Sequence, residues 1–308
     1  MQSSLVRSYF LNGVFIALAG AVLFSTKAIF VKLAYRDTPV DAITLLSLRM
    51  IFSLPFFAIY ALASSSKSTN VKFTTRQWIQ IAVIGCLGYY VSSLLDFIGL
   101  QFVTAGIERL ILFIHPTIVL LMSAIFFKDK IRSIQWIALA ITYAGLMLAF
   151  FSELDFNASQ NNSFVLGSVL IFICAFTYAA YIVGSGKIIP LVGAAKFNSY
   201  AMSFAGVGVL LHFFLTSDKS LFNLPATVYG YSFSMAILST VIPSYLVAES
   251  IKRIGSNNAA IIGSVGPVST ILMAYIFLQE AVFPLQLIGT CLILIGVLLI
   301  GKQKKAND

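Results

Sequence analysis

Charge is what this sequence has least of. Lys, Arg, Asp and Glu make up only 10% of its 308 residues, against about 25% in a soluble domain whose surface must be wetted. That shortage excludes water as the main solvent of the folded surface, and with it the soluble domain that the length alone would suggest. Cysteine is scarce as well. Cys86, Cys174 and Cys291 each sit inside an apolar run, in an odd number and without CxxC spacing, so neither a disulfide framework nor a zinc site is expected. There is no phosphate loop and no HExxH, and no polar stretch is long enough for a soluble catalytic or ATPase domain. Neither a metal nor a cofactor is expected, and ATP-driven transport by this chain alone is not. The net charge of +9 is scattered through short loops rather than gathered on one face, which argues against a nucleic-acid partner.

What the sequence has in abundance is long apolar stretches, with 59% hydrophobic residues and a mean hydropathy of +0.95. A bilayer core takes about 20 apolar residues per helix. Ten candidate spans follow at 12–34, 41–63, 77–101, 105–127, 134–151, 164–186, 197–216, 227–251, 257–278 and 282–301. The expectation is an all-α integral membrane protein with the lipid bilayer as its solvent. The first apolar run continues through Lys27 to Ala34, too long for the core of a signal peptide. With the N-terminus cytoplasmic, inner segments hold fourteen Lys and Arg residues and outer segments three: Lys32, Arg36 and Lys219. This bias places both termini inside a cell (inner) membrane. The sequons at Asn157 and Asn161 then fall in an outer loop and read as plain loop polarity.

Shifting the chain by 151 residues lays the fourth and fifth spans on the ninth and tenth. Pro116 meets Pro267, Gln135 meets Gln286, Gly145 meets Gly296, and Asp129 meets Glu280. Five spans per half is an odd number, so the second half must enter the membrane from the other side. The link KDKIR is basic and its partner QEAVF is not, as equivalent loops on opposite faces would be. The expected architecture is ten transmembrane helices as two inverted five-helix repeats, 12–151 and 164–301.

The chain resembles the EamA-type transporters of the drug/metabolite transporter superfamily. The tracts that carry the resemblance are AGIERLILFIHPTIVLLMSAIFFKDK and SNNAAIIGSVGPVSTILMAYIFLQE, each followed by a helix with Gln and Gly. FSTKAIFVKLA in the first span and LSLRMIF in the second match the family's style. Departures are Lys128-Asp129, where glycine-glutamate is usual, and His115 ahead of the first proline. The resemblance implies ten helices, a central cavity lined by spans three, four, eight and nine, and export of amino acids or related metabolites. A nucleoside, nucleotide-type metabolite or drug is the alternative cargo.

An ionisable group at bilayer depth costs about 3 kcal/mol or more, so it faces a cavity or a partner. Lys27, Arg49, Asp96, Glu108 and Arg109 occupy the outer halves of the first four spans, with an excess of one positive charge. They read either as contacts to an anionic or zwitterionic substrate, through Lys27 or Arg109, or as a structural network pairing Lys27 with Asp96 or Glu108. Adjacent Glu108 and Arg109 point about 100° apart, so at most one of them faces a given cavity. Tyr89, Ser92, Ser93 and Asp96 share one face of span three, and Glu108 and His115 share one of span four. Protonation of Asp96, Glu108 or His115 makes protons a candidate coupling ion. His212 reads as interfacial and Glu249–Arg253 as an ion pair at a span end. Tyr178, Tyr181 and Ser264, with Ser185, Pro243, Tyr245, Asn257 and Asn258, are candidate cavity residues in the second half. Pro116 and Pro267 each free a carbonyl near mid-membrane and are candidate hinges. The rivals are a polytopic membrane enzyme, which would need acids clustered at an aqueous edge, and a scaffold or receptor with purely structural charges. The oligomer is expected to be a monomer or homodimer.

Overall fold

The computed structural model describes residues 2–65, 72–150, 162–279 and 284–301. Among them every regular element is helical, as lipid demands of a chain that must satisfy its backbone polar groups within each segment. The helices are α1 (Gln2–Asp37), α2 (Ala42–Ser65), α3 (Thr75–Gly99), α4 (Ala105–Leu112), α5 (His115–Phe127) and α6 (Ser133–Phe150). The second half holds α7 (Asn162–Val192), α8 (Ala194–Thr216), α9 (Ala226–Ile254), α10 (Ser256–Ile262), α11 (Gly266–Met273) and α12 (Pro284–Gly301). Large apolar side chains such as Ile59, Leu62, Phe126 and Leu215 face outward, where a soluble protein would carry charge.

Of the ten expected segments, eight hold a helix long and apolar enough to cross a membrane. The fifth and tenth hold shorter apolar helices, Ser133–Leu148 and Leu287–Leu299 within α6 and α12. Glu280, Asn157, Asn161, Lys67, Lys302, Lys304 and Lys305 lie outside the described residues.

The helices pair in a pattern that exchanging the two halves leaves unchanged. α2 lies against α8, and α6 against α12. α1 packs on α9 and α11 of the second half, while α7 packs on α3, α4 and α5 of the first. Two of the backbone irregularities also recur at the offset of 151 residues. α3 widens into a π-helical turn at Cys86–Val91, and α9 does so at Ile237–Val241. Lys128 and Gln279 both take left-handed backbone angles, with φ of 57° and 58°, at the ends of the proline-containing tracts.

The two long spans expected over 105–127 and 257–278, with candidate hinges at Pro116 and Pro267, are each interrupted. A turn at Phe113–Ile114 separates α4 from α5, and a 3-10 turn at Gly263–Val265 separates α10 from α11. Both prolines explain this: Pro116 and Pro267 stand second in α5 and α11, where the missing N–H costs nothing. One consequence is that the seven-residue spacing of Glu108 and His115 no longer implies a shared face, because the helical register restarts between them.

Close approach between helices is made by glycine. A Cβ on Gly88 of α3 would stand 2.3 Å from Tyr181 Cγ of α7, and one on Gly145 of α6 would stand 2.5 Å from the Gly289 carbonyl oxygen of α12. Backbone on the far side of Gly145 cannot step aside. Gly145→Ala should therefore cost about 1–3 kcal/mol through overpacking and lower the thermal midpoint in detergent. An unchanged midpoint would refute this packing of α6 on α12.

Candidate functional site

Four of the five membrane-depth charges come together. Lys27 on α1 places its ammonium 2.6 Å from Asp96 Oδ2 on α3 and 3.6 Å from Glu108 Oε1 on α4. Arg109 Nε stands 3.1 Å from Glu108 Oε2, and its Nη2 has no hydrogen-bond partner among the described residues. All four side chains are buried. Single buried charges would be expensive here, whereas alternating signs at contact distance offset much of the desolvation. Lys27 thus pairs with both of the carboxylates considered for it.

Beside this cluster lies a cavity of about 110 Å³. Lys27, Tyr89, Ser93, Arg109, His115 and Tyr178 line it, together with Phe24, Ser25 and Ser92. Arg109 faces the cavity and Glu108 does not, in keeping with their 100° divergence. Four rings form much of the wall. Tyr178 lies 5.6 Å from His115, 6.1 Å from Phe24 and 6.4 Å from Tyr89, centroid to centroid. His115 owes its orientation to the helix break. Pro116 has no N–H to give the Leu112 carbonyl, and His115 Nδ1 lies 3.0 Å from that oxygen instead. A carbonyl only accepts, so Nδ1 carries the proton and Nε2 is left as an acceptor. On the other half, Gly263 and Gly266 flank the second break at the cavity wall, and Ser25 Oγ donates to the Gly266 carbonyl at 3.0 Å.

Other candidates stand elsewhere. Arg49 is buried behind Ser93, to which it donates at 2.9 Å, with its guanidinium 4.9 Å from the Phe97 ring centroid. Tyr181 packs edge-on against Tyr89 at 4.9 Å, and Ser185 turns its hydroxyl back to the Tyr181 carbonyl. Ser264 is buried within the 3-10 turn. Tyr245 bonds Ser199 at 2.7 Å. The wall is thus wider than the resemblance implies, since α1 and α7 contribute to it alongside α3, α4, α9 and α10. Apolar residues of α1 and α7 carried no polar signal that could have nominated them.

A second recess of about 410 Å³ opens one turn further along the same helices, toward the end that carries Lys130, Arg132, Lys252 and Arg253. Asn257 and Asn258, read as cavity candidates, line this vestibule instead. Gln135 Nε2 donates to Asn258 Oδ1 at 3.0 Å across the two halves. At the opposite end the helices are tied together. Lys32 and Tyr35 of α1 donate to the carbonyls of Leu100 and Phe97, Tyr231 of α9 donates to Asp37, and Lys219 pairs with Asp41 at 2.6 Å. Asp41 also caps α2 through Thr44.

The EamA-like transporter family matches this chain over residues 11–151 and again over 165–302. An uncharacterized transporter of Bacillus subtilis, YcbK, is 33% identical over 285 residues, covering 90% of this chain and 88% of that protein. An uncharacterized inner membrane transporter of Salmonella typhimurium, YicL, is 19% identical over 297 residues, covering 96% of each. A solved crystal structure shares the fold with a TM-score of 0.75 at 17% identity, over 94% of this chain and 97% of its own.

Two outcomes test this geometry. Asp96→Asn leaves Lys27 with Glu108 alone and should cost about 3–5 kcal/mol, whereas the joint change Lys27→Met with Asp96→Leu should be milder. Thermal midpoints of the three proteins in detergent decide, and equal losses would rule out the pairing. The Asp41 carboxyl is driven up by partial burial, but Lys219 and Thr44 outweigh this and hold it below its ordinary value. A lowered value stabilises above the ordinary range near pH 4 and is lost as pH falls through it. Asp41→Asn should flatten the fall of the thermal midpoint below about pH 4; the same slope in both proteins would remove Asp41 from the latch.

Proposed function

Because the chain belongs to the EamA-like transporter family, we propose that it is a secondary transporter exporting amino acids or related small metabolites by alternating access. The single observation that carries this reading is the enclosed cavity between the two halves, walled by aromatic rings and by two cations. Arg109 and Lys27 offer charge-assisted hydrogen bonds to a carboxylate, and the ring of Phe24, Tyr89, Tyr178 and His115 encloses an apolar or planar body. The two halves, 12–151 and 164–301, serve as inverted repeats of five spans, giving ten. Supporting this are the doubled family match, the exchange-invariant helix pairing and the irregularities repeated at one offset.

The vestibule is the cytoplasmic entrance in this reading, since it lies at the end rich in Lys and Arg. Lys130 and Arg132 there raise the local concentration of anionic metabolites before they enter. The latches at the other end form the closed outer gate. Opening them while the vestibule narrows moves one half against the other, with the breaks before Pro116 and Pro267 as hinges. Asp96, Glu108 and His115 are the groups through which protons couple to the cycle.

Uptake into everted vesicles of labelled amino acids, organic acids and nucleosides, with and without a proton gradient, tests this. Saturable uptake of one class should fall at least about tenfold in Arg109→Ala at equal abundance, from loss of a charged hydrogen bond. Absence of flux across the panel in folded protein would end the exporter assignment.

A further inference from the structure

The two cations at the cavity wall are already matched. Lys27 has Asp96 and Glu108, and Arg109 has Glu108, at contact distance. The membrane-depth cation without a carboxylate at contact distance is Arg49. Among the described residues it makes no ion pair, its Nε has no hydrogen-bond partner, and it is 2% exposed. A guanidinium so placed is costly unless a negative charge approaches it, and the Phe97 ring compensates only in part. Ser93 gives Arg49 a polar route to the cavity. Its oxygen accepts from Arg49, it lines the cavity, and its O–H has no acceptor among the described residues, so the hydroxyl is polarised to donate inward.

We propose that the cavity takes its cargo as a monoanion lacking a balancing ammonium group. Ser93 donates to the anionic group, and Arg49 behind it is the charge that the cargo neutralises. This rests on the transporter reading and narrows its cargo from amino acids to related carboxylates that lack an ammonium group. A zwitterion would bring no net charge and leave Arg49 unmatched, and an amine would add a second uncompensated cation. The aromatic wall favours a carboxylate carried on a planar or apolar body, such as an aryl-substituted acid.

Three probes that share one skeleton separate the possibilities: 3-phenylpropionate, phenylalanine and phenethylamine. Each is titrated into the purified protein in detergent at constant ionic strength in sulfate, a dianion outside the proposed class, with the thermal midpoint as readout, since a ligand that binds only the folded state raises it. The midpoint should rise saturably with 3-phenylpropionate, less with phenylalanine and not with phenethylamine. Ser93→Ala, a small change that spares the fold, should weaken the apparent affinity about tenfold. Arg49→Lys, which keeps the charge, should weaken it less. Equal or greater stabilisation by phenylalanine, an unchanged affinity in Ser93→Ala, or no shift with any probe would each overturn the proposal. So would saturable stabilisation by chloride alone, which would mark a structural anion. Flux of the same probes in proteoliposomes keeps the two readings apart. Flux without preference for the anion ends this inference and leaves a transporter, whereas stabilisation without flux of any probe ends the transporter reading and leaves an anion site.

Discussion

The charged cluster beside the cavity hangs on the contact between Lys27 and Asp96. It joins the first helix to the third at bilayer depth, where either charge alone would be expensive, and Glu108 and Arg109 attach α4 to the same pair. Lys27, which makes this contact, also lines the cavity. Stability and substrate handling therefore meet at one side chain. The aromatic wall needs no such compensation; it is held by ring-to-ring packing from α1, α3, α5 and α7.

The second organising constraint is that the wide turn of α3 and both proline breaks fall where helices meet the cavity. π-helical turns are uncommon and recur at functional sites; here both α3 and α9 carry one. The first lies at Gly88 and Tyr89, and both residues line the cavity. The proline breaks do the same for α4–α5 and α10–α11. His115 shows the local logic: a missing backbone donor at Pro116 and a ring nitrogen that takes over the orphaned carbonyl.

Much of the fold was legible because lipid solvent leaves few options. Apolar length gave the helices, and their observed limits fall within a few residues of the expected spans for most of them. Lys27, Asp96, Glu108 and Arg109 stood out as charges that needed partners, and they found one another. What stayed hidden depended on tertiary closeness. Nothing in the sequence marks Phe24 or Cys174 as cavity wall, because apolar residues look alike whether they face lipid or a hole. Arg49 looked like its fellow cations, yet it sits one layer behind them. Asn257 and Asn258 were polar for a vestibule rather than for the central cavity. The face shared by Glu108 and His115 did not survive the break before Pro116, because periodicity carries no record of where a register restarts.

The crossed packing of α1 and α7 sets the order in which the protein can be completed during synthesis. α1 leaves the ribosome first, yet much of the surface it packs on belongs to α9 and α11, made some 200 residues later. Through that interval it waits in the bilayer, and its ammonium gains a carboxylate only once Asp96 has arrived. α7 is born beside finished partners, since α3, α4 and α5 precede it. The first half is thus an open assembly that borrows its closure from the second. A chain interrupted before residue 226 would present the quality-control machinery with a lone helix whose apolar seam has no mate.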